Sequence, residues 1–334
     1  MKKWTVYFIF ATLSSISQLR AEQLDPKFFA NAAFQRQFSG AFALQEESLD
    51  FVNQSLHKTF SEGDALIASI RNNPVLFQSV LDFPKLEPVQ KLSVLRHVFK
   101  LEVAASGLLA PELVFDDSAK RSTFFEFDPK IQNAGRVILN PTKLFANSNP
   151  YDALLFLIHE TRHSYQFQLT FNLGGEKPTT ISEAFDRGFA AQKQLFDQGI
   201  RPSFCDFLTL NQEYEAFLFG NYVVETLTNG SVDTSKMGTL ASQHEPGHGL
   251  KINLSELAQK VGSANLLDAF NELEKAQWPD RVKSDSRLYK HLPPSPIETT
   301  SNFPILDKAR LSDLKTEVIH DQSQPDVSRA NTHQ

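Results

Sequence analysis

The chain is poor in the residues on which several common kinds of site depend. Its 334 residues include one cysteine, Cys205, so it can form no internal disulfide and cannot build a zinc ribbon or an iron–sulfur site. An excess of positive charge is also missing, since 33 Lys and Arg stand against 39 Asp and Glu for a net charge of −6. A nucleic-acid surface needs cations that replace counterions, so neither DNA nor RNA is an expected partner. Tyrosine and tryptophan are scarce, 6 and 2 against 29 phenylalanines, and the aromatic content therefore reads as core filling rather than a sugar- or base-stacking platform. Calcium-loop spacing is absent, including around Glu46-Glu47 and Asp116-Asp117, and no repeat of solenoid period is present. Any metal site must be made from His, Asp and Glu.

Long hydrophobic runs are lacking too. The chain opens Met1-Lys2-Lys3, continues with an apolar run from Trp4 to Leu13, and reaches Leu19-Arg20-Ala21 through a Ser-rich stretch. The run is too short to span a bilayer, and the three-part plan is that of a secretory leader over 1–21, with cleavage after Ala21 or after Ser17. No cysteine follows to carry a lipid. The expectation is an exported bacterial protein, periplasmic or secreted, with no stable membrane span once the leader is removed.

What remains is 41% hydrophobic and 22% charged with 17 prolines, enough for a sizeable core in one large or two smaller domains. Residues 22–106 show helical apolar spacing, as at Leu92, Leu95, Val98 and Phe99. Within 107–232, three short β-like stretches come first: ELVF, then STFFEF, then GRVILN, each bounded by turn residues. A helix follows with Asn149 as N-cap, Pro150 at its first position and Asp152 in its first turn. The next begins at a capping box, Thr180-Ile181-Ser182-Glu183, and stops at Gly199. Another runs from near Ser203 toward Gly230. Region 233–320 carries a further helix near Leu254 to Glu274 and a PPSP stretch at 293–296, and 321–334 reads as a disordered tail.

The residues that carry chemistry are His159-Glu160-Thr161-Arg162-His163, an HExxH pattern inside an apolar run. On a helix, positions four apart lie about 40° from each other around the axis, so both imidazoles reach one point with Glu160 on the rim beside them. That arrangement supplies two zinc ligands and a base for a zinc-activated water. The residues before His159 are apolar on every side, which predicts a buried helix where unpaired histidines would be costly. A second match, His244-Glu245-Pro246-Gly247-His248, is different: Pro246 and Gly247 forbid a formed helix, so it reads as a loop, one that could fold over a cleft.

A catalytic zinc needs a third protein ligand. A metzincin-like continuation would place Gly at 166 and His at 169, where Gln166 and Leu169 stand, so that class is excluded. The segment around Glu213-Tyr214-Glu215-Ala216 is the alternative. Glu213 and Glu215 lie about 200° apart on a helix, so one of them at most faces the metal. The face of Glu213 holds Leu210, Ala216, Phe217, Gly220, Val224 and Leu227, where a carboxylate needs a cation and small residues admit another helix. Glu213 is the expected ligand, with Glu215, then Glu183, Asp186 and Glu225, as alternatives. Arg162, Tyr165, Tyr214 and Tyr222 are close enough in sequence to polarise a carbonyl, but read as packing or surface residues. Cys205 reads as a small buried hydrophobe.

HETRH followed about fifty residues later by EYEA resembles the gluzincin group of zinc metallopeptidases, notably its membrane peptidase branch and uncharacterised bacterial metallopeptidases. The resemblance covers roughly 110–230. It implies an α+β chain with a zincin-like core, a small sheet whose edge strand (GRVILN) aligns a peptide beside the active helix, set between mostly helical N- and C-terminal regions. It further implies Zn2+ held by His159, His163 and Glu213, Glu160 as general base, and a peptide or protein substrate. One departure is visible: Phe217 stands where the resembled enzymes have an aspartate that steadies a ligand histidine. An inactive zincin-fold scaffold of the cell envelope and a metal-free helical structural protein are the competing expectations.

Overall fold

The computed structural model describes residues 32–107, 109–127, 133–147, 149–173, 177–200, 202, 204–232, 244–245, 249–250 and 252–273. The leader, the PPSP stretch and the C-terminal tail lie outside them. The fold is α+β and mostly helical. Four helices come first: α1 (Ala32–Arg36), α2 (Leu49–Arg71), α3 (Pro74–Leu81) and α4 (Pro88–Ser106). Strands β1 (Glu112–Phe115), β2 (Thr123–Glu126) and β3 (Arg136–Leu139) follow, then α5 (Pro141–Phe145), α6 (Asp152–Thr170), α7 (Thr180–Asp197), α8 (Phe204–Leu208) and α9 (Asn211–Leu227). A two-residue strand pair, β4 (His244–Glu245) with β5 (Gly249–Leu250), leads to α10 (Leu254–Val261).

Several helices start at proline, whose fixed φ and missing N–H suit the first turn. Asn73 before Pro74 and Asn140 before Pro141 each accept a backbone N–H from three residues on. Gln90 and Glu87 close a reciprocal capping box around Pro88. Helix α6 starts later than its sequence suggests. Asn149 caps a preceding turn through Tyr151 N–H, and the helix begins at Asp152 with no side-chain cap. The capping box of α7 is shifted by one residue, Thr179 with Ser182, because Thr179 is the extended residue whose hydroxyl faces the first turn.

Two expected helices are broken. The stretch from Ser203 to Gly230 divides at Thr209–Leu210, where the backbone leaves the helix to pair with the chain at Phe42: Ala43 N–H donates to Thr209 O and Asn211 N–H to Ala41 O. Tertiary pairing there replaces the intrahelical bonds of one turn. Cys205 consequently belongs to the short α8 and not to the helix of Glu213. The Leu254–Glu274 stretch divides at Gly262, whose φ of +82° is left-handed and readily adopted only without a Cβ; residues 266–273 resume a helix. The second HExxH match is extended at His244–Glu245, while 246–248 lie outside the described residues.

The sheet order is β1-β3-β2, with β1 parallel and β2 antiparallel to β3. This corrects the expectation for GRVILN. Strand β3 is central, so its backbone groups are taken on both sides and it cannot align a peptide; β1 and β2 form the edges. Sheet and helices enclose α6, which packs against β2 and β3 on one side and against α4, α7 and α9 on the others, while α2 packs on α4 and α9. Every residue from Asp152 to Gln168 is buried. A helix buried all round cannot leave its polar groups to water, so the polar half of α6 must find partners inside the protein.

Candidate metal centre

Helix α6 carries His159 and His163 on one face, and their Nε2 atoms lie 2.9 Å apart. Glu213 comes from the first turn of α9, where the helix dipole favours a negative charge. Its carboxylate lies 3.4 Å from His159 Nε2 and 3.6 Å from His163 Nε2. The close approach of the two helices is made by Gly220: a Cβ there would be 3.5 Å from Leu155 O and 3.9 Å from His159 Cβ. His159, Glu160, His163 and Glu213 are all 0% exposed, and the ligand atoms of His159, Glu160 and His163 lie within 4.8 Å of one another.

Hydrogen bonding fixes which atom His163 presents. Gln166 Nε2 donates to Gln212 O at 2.9 Å and to Glu215 Oε2 at 2.6 Å, so its Oε1 must be the acceptor that meets His163 Nδ1 at 2.8 Å. His163 Nδ1 then carries the proton, and in the neutral ring the lone pair sits on Nε2. That lone pair faces a second imidazole nitrogen and a carboxylate whose two oxygens have no hydrogen-bond partner among the described residues. With the His159 proton on Nδ1 as well, these are acceptors turned on one another in a dry interior, which repel unless a cation lies between them. Three donors bound at about 2.0–2.1 Å around tetrahedral zinc stand roughly 3.3 Å apart, close to the separations seen here. The donor set and its orphaned oxygens therefore fit a zinc ion.

The same groups carry strained titrations. Burial lowers the His159 pKa to about 4, helped by His163 and opposed by Glu213. For His163 burial again works against the charge, but Glu213, Glu160 and Gln166 outweigh it and the pKa is raised. Burial opposes ionisation of Glu213 as well, yet the two imidazoles hold its pKa below the usual range. Burial lifts Glu160 to about 7; His163 opposes the rise, Glu213 adds to it, and the nearby Thr123 hydroxyl and Phe125 N–H of β2 oppose it at longer range. Neither oxygen of Glu160 has a partner at hydrogen-bond distance among the described residues.

Glu215 is turned away from this point. It accepts from Arg162 Nε at 2.8 Å, Arg162 Nη2 at 2.6 Å, Gln166 Nε2 at 2.6 Å and Thr59 Oγ1 at 2.8 Å. Arg162 also reaches Glu62 at 2.5 Å, and Tyr165 donates to the other oxygen of Glu62 at 2.9 Å. A line of bonds thus runs from His163 through Gln166, Glu215 and Arg162 to Glu62. Arg162 and Tyr165 are engaged in it, Tyr222 donates to Asp64, and the buried Tyr214 hydroxyl has no partner among the described residues, so no hydrogen bond brings any of the four to the imidazoles. Glu183 and Asp186 are exposed on α7, and Glu225 lies three turns from Glu213 along α9. The Phe217 ring lies tilted against the His159 ring with centroids 4.2 Å apart, and His159 Nδ1 has no partner among the described residues. Gln166, unrecognised in the sequence, supports the other histidine instead; its position three residues beyond His163 on the same helix was the available signal.

No protein-family model, no curated protein and no solved structure matches this chain. The functional reading rests on the geometry above. Among the described residues no helix is long and apolar enough to cross a membrane.

Proposed function

We propose that the protein is an exported zinc-dependent hydrolase of zincin-like build that cleaves peptide bonds. The observation that supports this reading is the convergence of His159, His163 and Glu213 on one point, with both Glu213 oxygens lacking a hydrogen-bond partner among the described residues and a second carboxylate in the same state, Glu160, beside them. His159, His163 and Glu213 would hold the ion. Zinc supplies Lewis-acid chemistry there, bringing the pKa of water toward neutrality. Glu160 takes a proton at its carboxylate and returns it to the leaving nitrogen. Gln166 keeps His163 in the tautomer that offers Nε2, and Glu215, pinned by Arg162, keeps Gln166 in place.

Full burial of all four side chains favours a second reading, in which the metal only clamps α6 to α9 in a catalytically silent scaffold. One experiment separates the two. Elemental analysis of the purified protein should find about one zinc per chain, lost in His163→Ala, and a peptide-library screen should show cleavage abolished in Glu160→Gln while its zinc remains. Zinc without cleavage in the wild type selects the scaffold; no zinc after metal supplementation sinks both.

A further inference from the structure

The opposite face of α6 opens on a different cavity. Thr161, Tyr165 and Gln168, about half a turn round the helix from the two histidines, line it together with Glu102 of α4. Glu102 is 5% exposed, and both its carboxylate oxygens are buried without a hydrogen-bond partner among the described residues. A buried carboxylate in this state lacks a counter-ion or a proton. The neighbouring charges do not provide one. Arg162 is shared between Glu215 and Glu62, and Lys58 stays at the outer side of Glu62, 3.8 Å from it. Both cations are thus engaged elsewhere, and burial, with Glu215 adding to it and Arg162 opposing it, holds the Glu102 carboxyl well above the usual carboxylate range, so that it keeps its proton unless a cation is placed beside it.

The rest of the wall sets the form of the missing cation. Besides Glu102, Ser106 and Tyr165 line the space, their hydroxyls donating to Val103 O and Glu62 and so offering oxygen lone pairs to a further donor, with Val103, Leu109 and Phe219 as apolar wall. Leu109, at 55% exposure, makes an apolar lip. The cavity volume is about 30 Å3 measured to water centres, where one water needs roughly 10–15 Å3. A divalent metal would require several convergent acidic or imidazole donors, and among the described residues those converge only at His159, Glu160 and His163. We propose that this cavity binds a primary alkylammonium group, its three N–H donors on Glu102 and the hydroxyls and its carbon stem leaving past Leu109. The source is a small free amine or the end of a lysine side chain.

The test is a titration of the full chain with methylammonium and n-butylammonium chloride, followed by saturation-transfer NMR, with potassium and tetramethylammonium chloride at matched ionic strength. Saturable binding of the primary ammonium ions is expected, tightening as pH rises because burial raises the Glu102 pKa and the ammonium pairs only with the ionised carboxyl. It should weaken by about tenfold or more in Glu102→Gln, and also in Ala105→Trp, which narrows the mouth without touching Glu102. Tighter binding of n-butylammonium identifies a long-stemmed source such as lysine, and equal binding a small amine. Binding should survive in His163→Ala, which separates this site from the metal centre. No saturable binding to the wild type, or equal effects of potassium or tetramethylammonium, overturns the proposal.

Discussion

Because Gln166 Nε2 is held by both Gln212 O and Glu215, its Oε1 has no choice but to meet His163 Nδ1, and the tautomer of His163 follows from an amide that a carboxylate holds in place. Gln166→Leu removes that acceptor and leaves Gln212 O and one Glu215 oxygen short of a donor. Zinc affinity, measured by competition with a chelating dye, should fall by about ten- to a hundredfold; an unchanged affinity would show that Gln166 only packs. At this scale the sequence was informative where chemistry is local. His159, Glu160 and His163 share one helical turn, and their convergence follows from the helical repeat alone. Choosing Glu213 over Glu215 needed only the two faces of α9. The bonds from Thr59, Glu62 and Gln166 to Glu215 and Arg162 were not legible, because each joins side chains on different elements with nothing in the spacing to pair them.

The helix pair α6–α9 depends on Gly220, where a Cβ would still be at an ordinary 3.5 Å from Leu155 O. Gly220→Ala should therefore be accommodated, and gains about 1 kcal/mol of helix propensity. Gly220→Leu puts three further carbons against the backbone of α6 and should cost about 2 kcal/mol, with zinc content falling as Glu213 is pushed from the imidazoles. Denaturant melts beside zinc analysis check this, and a Leu variant as stable and as zinc-loaded as the Ala variant would refute the close-packing argument. Element identity was legible for β1, β2, β3 and α6, whose alternation or apolar runs are strong. Boundaries were less so: α8 and α9 separate at Leu210 because Phe42, 168 positions earlier, takes over the backbone pairing there.

For the molecule as a whole, the proposed metal centre lies where α6 and α9 meet, so a bound ion would tie together parts of the chain distant in sequence. An ion that binds only the folded state at a free concentration a hundred times its dissociation constant adds about 2.7 kcal/mol, which for a chain of this size raises Tm by about 4 °C. Thermal melts with and without a chelator should show that difference in the wild type and none in His163→Ala. Identical wild-type melts would mean that no ion is bound.

Composition and spacing by themselves determined that the chain is α+β, that a single cysteine can build neither a zinc ribbon nor an iron–sulfur site, and that two imidazoles and a carboxylate meet on one helix. These follow from residue counts and from the 3.6-residue repeat, which needs no knowledge of distant contacts. Only the tertiary structure decided that β3 is central rather than an edge, that Gln166 and not an aspartate holds His163, and that Glu102 is buried without a partner among the described residues. Strand order, tautomer and burial are all set by neighbours far away in sequence, and a single sequence carries no record of which distant residue will stand beside which.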